Sequence, residues 1–238
     1  MRKPLFISTP NWWTIPFRQI PQTPVQQVMT IGSSIATALE KLDNLNEKST
    51  CAQIRTIASL LETIHSRLDN WHAWFTSHSP NSLPFTKCSS GQTTLHFLDT
   101  AAANGLTHYW AFSLICFTYL HQLANVCPSI NNRRTDADKD KGEGSSRKVT
   151  AQQYATWILQ STTYLTQDDQ KLFGATSLAV PFKVGFGYLQ RYGGVHGREI
   201  CDVAIRRLGL KGYHYLVKFT HRSLASLGPL LLAHHQHE

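Results

Sequence analysis

Charge is scarce in this sequence. Asp, Glu, Lys and Arg make up only 16% of its 238 residues, and the acidic ones are the scarcer: 15 against 23 basic, a formal net charge of +8 with twelve histidines uncounted. Such a balance permits an acidic partner without identifying one. Long apolar runs are missing as well. The nearest approach, Tyr109 to Leu120, is short, is interrupted by Ser113 and Thr118, and is followed by His121. No membrane-spanning helix and no membrane partner are expected. Arg2 and Lys3 are followed by Pro4, Pro10 and Pro16 rather than by the apolar core of a signal peptide. Cysteine is sparse and irregular. Cys51, Cys88, Cys116, Cys127 and Cys201 are odd in number and follow no repeating spacing, which argues against a disulfide framework and for a reducing, intracellular compartment. Buried, small hydrophobic side chains are the expected role for such cysteines.

The short motifs of common chemistries are absent too. There is no Gly-x-Ser-x-Gly, no His-Glu-x-x-His and no Cys-x-x-Cys. Tyr192-Gly193-Gly194-Val195-His196-Gly197 is glycine-rich, but it lacks the Lys-Ser/Thr of a phosphate loop and reads as a helix-helix turn. His65 and His72 lie seven apart, two helical turns, which is too far to share an ion. His234, His235 and His237 stand in a tail without supporting groups. No metal site and no cofactor are expected. Cys201 lies near His196, but no third group orients the pair.

What the sequence does hold is helix. Hydrophobic residues reach 42%, enough to bury about seven-tenths of the unfolded chain's surface. Thr23-Pro24-Val25-Gln26 is a capping box with proline in the first helical position, opening a helix towards Leu45. Thr50-x-x-Gln53 opens a second, with Ile54, Ile57, Leu61, Ile64, Leu68, Trp71 and Phe75 alternating in steps of three and four. That stripe fits either a coiled-coil homodimer or a long helix seated in a bundle. Asp99 caps a third helix to about Asn125, apolar nearly all round and therefore central. Thr150-x-x-Gln153 starts a helix through Leu165. Asp168 and Asp169 suit a helix N-terminus. Phe173 to Tyr192 reads as one helix kinked at Pro181. Val195 to Leu208 is amphipathic and stops at Gly209, read as a left-handed cap. A last helix covers about Tyr213 to Leu227. No strand pair is expected. The fold class is all-α: one bundle-like domain over residues 1–238, of about six or seven helices. Residues 131–148 form a disordered insertion and residues 229–238 a flexible tail. The insertion also contains Arg133, Arg134, Lys139 and Lys141, but the interspersed Asp136, Asp138 and Asp140 weaken a nuclear-import reading.

Two features bear on function. From Lys171 to the C-terminus nine basic residues face three acidic ones, a surface suited to phosphate contact or to simple solvation. Aromatics are numerous. Trp12, Trp13, Tyr109, Trp110, Tyr154, Phe173 and Tyr188 either line an apolar pocket for a small-molecule ligand or substrate, or pack as core. His108, Tyr119, His121 and Arg191 are the candidate hydrogen-bond donors for such a pocket.

The order of several segments resembles the C-terminal regulatory region of fungal zinc-binuclear-cluster transcription factors, over about residues 4 to 220. The segments are Leu5-Phe6-Ile7-Ser8-Thr9-Pro10-Asn11-Trp12-Trp13, Leu68-Asp69-Asn70-Trp71, Leu95-His96-Phe97 leading to Tyr109-Trp110-Ala111, Leu172-Phe173-Gly174-Ala175 with Pro181-Phe182, Arg198-Glu199-Ile200-Cys201, and Leu208-Gly209-Leu210-Lys211-Gly212-Tyr213. The resemblance implies an all-helical domain, a fungal source and control of a secondary-metabolite gene cluster. The six-cysteine zinc module of that family is missing, so direct sequence-specific DNA binding by this chain is not expected. Two functions follow. One is a nuclear regulatory domain acting through a ligand, a DNA-binding protein partner or a homodimer. The other is a cytoplasmic, cofactor-free cyclase or isomerase of natural-product biosynthesis. A truncated reading frame with no role of its own is a third.

Overall fold

The structure is a computed structural model and describes residues 10–46, 48–79, 83–89, 92–130 and 150–221, without the side chains of residues 10, 13, 87–89, 92–93 and 219–221. The expected insertion and tail, residues 131–148 and 229–238, lie outside the described residues, as do the tail histidines.

Local signals set the helix starts. After a short α1 (Pro10–Thr14), α2 (Pro24–Asp43) and α3 (Cys51–His78) both open on full capping boxes. The Thr23 and Thr50 hydroxyls each accept the backbone N–H three residues on, and Gln26 and Gln53 reach back to the cap N–H at 2.8 Å. Four donors that the helices leave unsatisfied are met in this way. Asp99 caps α4 (Thr100–Val126) through the Ala102 N–H at 2.6 Å. Thr150 and Gln153 repeat the box at α5 (Ala151–Gln160).

The stripe of α3 is core. Ile54, Ile57, Leu61, Ile64, Leu68, Trp71 and Phe75 are all buried, with Leu61 and Leu68 fully so, against α2 and α4. Its sequence alternation reflects a helix seated among its own neighbours. Helix α4 is the axis of the molecule. It packs on α2, α3, α5 and on α8 (Ala179–Tyr192), and side chains all around it are buried from Ala102 to Leu114, beyond which Thr118, His121 and Gln122 form a partly exposed face. At Gly32 of α2 a side chain would overlap the Phe112 ring of α4, so the absence of a Cβ sets how closely these helices approach. Buried apolar residues from Val28 to Leu216 form one contiguous core.

Three details differ from the sequence expectation. First, β1 (Phe85–Ser89) and β2 (Gln92–His96) form an antiparallel hairpin with Phe85 opposite His96. A lone two-stranded ribbon is marginal in water. This one is fastened by buried Leu95 and, just beyond the strand, Phe97, whose ring meets Trp110 at 6.2 Å and Tyr164 at 5.3 Å.

Second, two expected helices are divided. The helix through Leu165 breaks at Ser161, whose hydroxyl turns back to the Trp157 carbonyl at 2.7 Å, leaving a short α6 (Thr162–Leu165). The supposed kink at Pro181 is a full break at Leu178. Asp168–Gln170 is a 3-10 turn leading into α7 (Lys171–Ser177), and this segment meets α8 at 67°. Pro181 lies in the first turn of α8, where its missing N–H belongs to the unbonded set and costs little.

Third, the left-handed cap is Gly212, not Gly209. Helix α9 (Gly194–Leu210) continues through Gly209, and Gly212 takes φ +78°. The Tyr213 N–H then bonds the Leu208 carbonyl and the Gly212 N–H bonds that of Gly209, the double closure that a glycine in this position permits. Helix α10 (His214–His221) follows.

Candidate functional site

The polar groups gathered at the junction of α3, α4 and α5 form the candidate site. On α3, His65, Asp69 and His72 fall at positions i, i+4 and i+7, one face of the helix. Opposite them α4 presents Tyr109 and Phe117, and α5 presents Tyr154. The Tyr109 hydroxyl donates to Asp69 Oδ1 at 3.1 Å and lies 3.0 Å from the Tyr154 hydroxyl. A phenol has a single proton, so with Tyr109 donating to Asp69 it is Tyr154 that donates to Tyr109. His65 Nδ1 lies 3.3 Å from Asp69 Oδ2. The His72 ring stacks on Tyr109, with centroids 4.5 Å apart and planes within 4°. Phe117 packs on His65 at 4.5 Å and on Tyr154 at 6.0 Å.

The chain of donors runs from inside to outside. Tyr154 and Tyr109 are buried, while the Asp69 side chain is 49% exposed. Burial pushes the Tyr109 phenol far above its ordinary range, reinforced by Tyr154 and by the Asp69 charge. Tyr154 is raised in the same way, mainly by burial. Both therefore remain protonated donors. Burial lowers the His72 pKa against the opposing attraction of Asp69. The arrangement fixes the Asp69 carboxylate on the Tyr109 phenol while leaving it within reach of a solvent-borne molecule. Among the described residues no group of three or more His, Cys, Asp or Glu side chains is placed to hold a metal ion.

Only part of the expected pocket comes together. Tyr109 and Tyr154 meet here. Trp110 lies beside them, packed on Trp157 at 5.4 Å, and Trp157 touches Tyr154 at 5.9 Å. These rings fill the bundle interior against one another rather than line a chamber. Trp12 on α1 and Phe173 on α7 are more than half exposed, Tyr188 packs on Tyr192 at 5.0 Å, and the Trp13 side chain lies outside the described residues. The four expected donors do not converge. His108 is buried and its Nδ1–H donates to the Asn104 carbonyl at 2.9 Å, with burial lowering its pKa. Tyr119 is buried further along α4. His121 is exposed and accepts from the Asn125 amide at 3.3 Å. Arg191 is exposed over the ring of its neighbour Tyr192. Asp69, which organises the cluster, was not among the expected site residues. Its place on the same helical face as His65 and His72 was the available signal.

A hollow of about 340 Å3 opens elsewhere, between the N-terminal part of α2 and the C-terminal half of α3, lined by Gln22, Gln27, Thr30, Arg67, Trp71 and Trp74. The Trp71 indole N–H is already given to the Pro24 carbonyl at 3.1 Å, which fixes this wall. Large apolar side chains are exposed on α7 to α10, among them Leu172, Phe173, Val195, Leu210 and Tyr215. No known family model matches the chain, and neither do any curated protein or any solved structure.

Proposed function

We propose that this chain is a regulatory helical domain, related to the effector region of fungal zinc-cluster transcription factors. It acts on a secondary-metabolite gene cluster through a protein partner. The observation that carries this reading is the exposure of apolar Leu172 and Phe173 on α7 and of Val195 and Leu210 on α9, with Lys171, Arg198 and Arg206 exposed on the same helices. Basic side chains outnumber the acidic Glu199 and Asp202 on these helices, and exposed apolar residues with a basic excess suit an acidic, partly apolar protein surface. On this reading the partner reads the DNA bases, and the site of action is the nucleus. Deleting the gene and measuring transcripts of its neighbours, with metabolites from the same cultures, tests the reading. Falling neighbour transcripts support it. Steady transcripts with one accumulating intermediate overturn it.

The second reading is a cofactor-free cyclase or isomerase, and the Tyr154–Tyr109–Asp69 chain favours it. Asp69, held in place by the Tyr109 phenol and partly exposed to solvent, supplies a positioned base for moving one proton on an apolar substrate. Conversion of a pathway intermediate by the purified chain, lost in Asp69→Asn, supports this reading. No conversion of any intermediate overturns it.

A further inference from the structure

The hollow between α2 and α3 is built from two helix faces. Arg67, Asn70, Trp71 and Trp74 stand at i, i+3, i+4 and i+7 of α3, and Gln27 and Thr30 at i and i+3 of α2. The indole side is fixed. Trp71 is buried, gives its N–H to the Pro24 carbonyl and stacks on Phe75, with centroids 5.2 Å apart and planes within 12°. Trp74 is 38% exposed and stacks on His78 at 5.1 Å, and His78 Nδ1 lies 2.9 Å from the Trp74 carbonyl. The α2 side is polar and also tied down. A Gln27 amide N–H bonds the Gln22 carbonyl at 3.3 Å. The Thr30 hydroxyl, given to the Gln26 carbonyl at 2.8 Å, lies 3.4 Å from Gln22 Oε1. Gln27 spends one N–H in this way and keeps a second donor and an acceptor.

A charge is left over. Among the described residues the exposed Arg67 guanidinium makes no ion pair and no hydrogen bond, and no Asp or Glu lines the hollow. Asn70, one turn further along α3, has no hydrogen-bond partner among them either.

We infer that this hollow binds a small planar aromatic carboxylate, with its rings against the Trp71 and Trp74 indoles and its carboxylate on Arg67. Each part of the class follows from a lining group. A guanidinium forks onto the two oxygens of a carboxylate and matches its single charge. A phosphate dianion would be left half-neutralised, because Arg67 is the one basic residue lining the hollow among those described. A cationic ligand would meet like charge. Indoles offer stacking area to a flat ring system, and the Gln27 and Asn70 amides can bond its substituents. At about 340 Å3 the hollow is at the small end of ligand pockets, which suits one or two fused rings rather than a nucleotide cofactor. It shares no residue with the Tyr109–Asp69 cluster, and the inference is independent of the function proposed above.

Titrating the isotope-labelled full-length chain with naphthoate, and following its indole N–H resonances by NMR, tests this. Naphthamide, flat but uncharged, is the matched control. Saturable naphthoate binding that shifts the Trp71 and Trp74 signals is expected, with naphthamide about tenfold weaker. Arg67→Gln should bring naphthoate down to the affinity of naphthamide and leave naphthamide unchanged, and Arg67→Lys should restore part of the loss. Trp74→Ala should weaken both ligands. An unchanged helical circular dichroism signal shows that each variant is folded. No saturable binding to the wild type, equal affinity for acid and amide, shifts confined to other tryptophans, or full naphthoate affinity in Arg67→Gln would each overturn the inference.

Discussion

Tyr109 and Asp69, forty residues apart, are joined by one hydrogen bond of 3.1 Å, and its direction sets the order of the whole cluster. Because Tyr109 gives its proton outward, Tyr154 must give inward. Removing the Tyr109 hydroxyl therefore strands a buried donor on Tyr154, while removing that of Tyr154 leaves the Tyr109–Asp69 bond intact. Tyr109→Phe is expected to cost about 1–3 kcal/mol and Tyr154→Phe about 1 kcal/mol or less. Urea unfolding of the two variants and of the double variant measures the difference, and equal costs would refute the ordering.

Acidification should weaken the fold through its buried imidazoles. Burial lowers the pKa of His108 and of His72 in the folded chain. Between the folded value and the ordinary value near 6.5, the unfolded chain binds the extra proton, so stability is complete above that range and falls as pH drops through it. His108→Gln removes one titrating group. Urea midpoints at pH 7.5 and 5.5 should differ less in His108→Gln than in the wild type.

Gly32 is expected to tolerate no side chain. Gly32→Ala drives a methyl group into the Phe112 ring, and overpacking of this kind costs about 1–3 kcal/mol. Combining it with Phe112→Leu should recover part of the loss. A thermal melt of the single and double variants decides, and an unchanged melt of Gly32→Ala would sink the argument.

The α3 stripe should behave as core and not as an association surface. Leu61→Ala and Leu68→Ala each remove a fully buried side chain and are expected to cost about 2–5 kcal/mol. That cost should be independent of protein concentration, which sedimentation and unfolding at two concentrations check. A concentration-dependent midpoint would return the stripe to a dimer.

The features legible in the sequence were those written within four residues or on one helix face. Thr23-x-x-Gln26, Thr50-x-x-Gln53, Thr150-x-x-Gln153 and Asp99 announce helix starts because a cap is a local hydrogen bond. The apolar surround of α4 announces its central place. The hairpin was hidden because Thr86, Thr93 and Thr94 make a polar ribbon whose stability comes from Leu95 and Phe97 packing on other elements. Pro181 fits both a kink and a first turn, and only the chain before it decides. Gly209 and Gly212 compete for one left-handed position, settled by where the Tyr213 N–H can reach. Tyr109 and Tyr154 were visible as aromatics, but the Asp69–Tyr109 and Tyr109–Tyr154 bonds span 40 and 45 residues. No local pattern encodes a contact at that distance.

The burial of the first half of α4 on every side has a consequence for how the molecule opens. The helix is packed against α2, α3, α5 and α8 at once, so no single neighbour can leave and expose the whole of this stretch. Solvent reaches all of its amides only when several of these helices detach together. In deuterium-exchange mass spectrometry, the peptides spanning Leu106 to Leu114 should exchange last, at the rate of complete unfolding, long after the α10 peptides have been replaced.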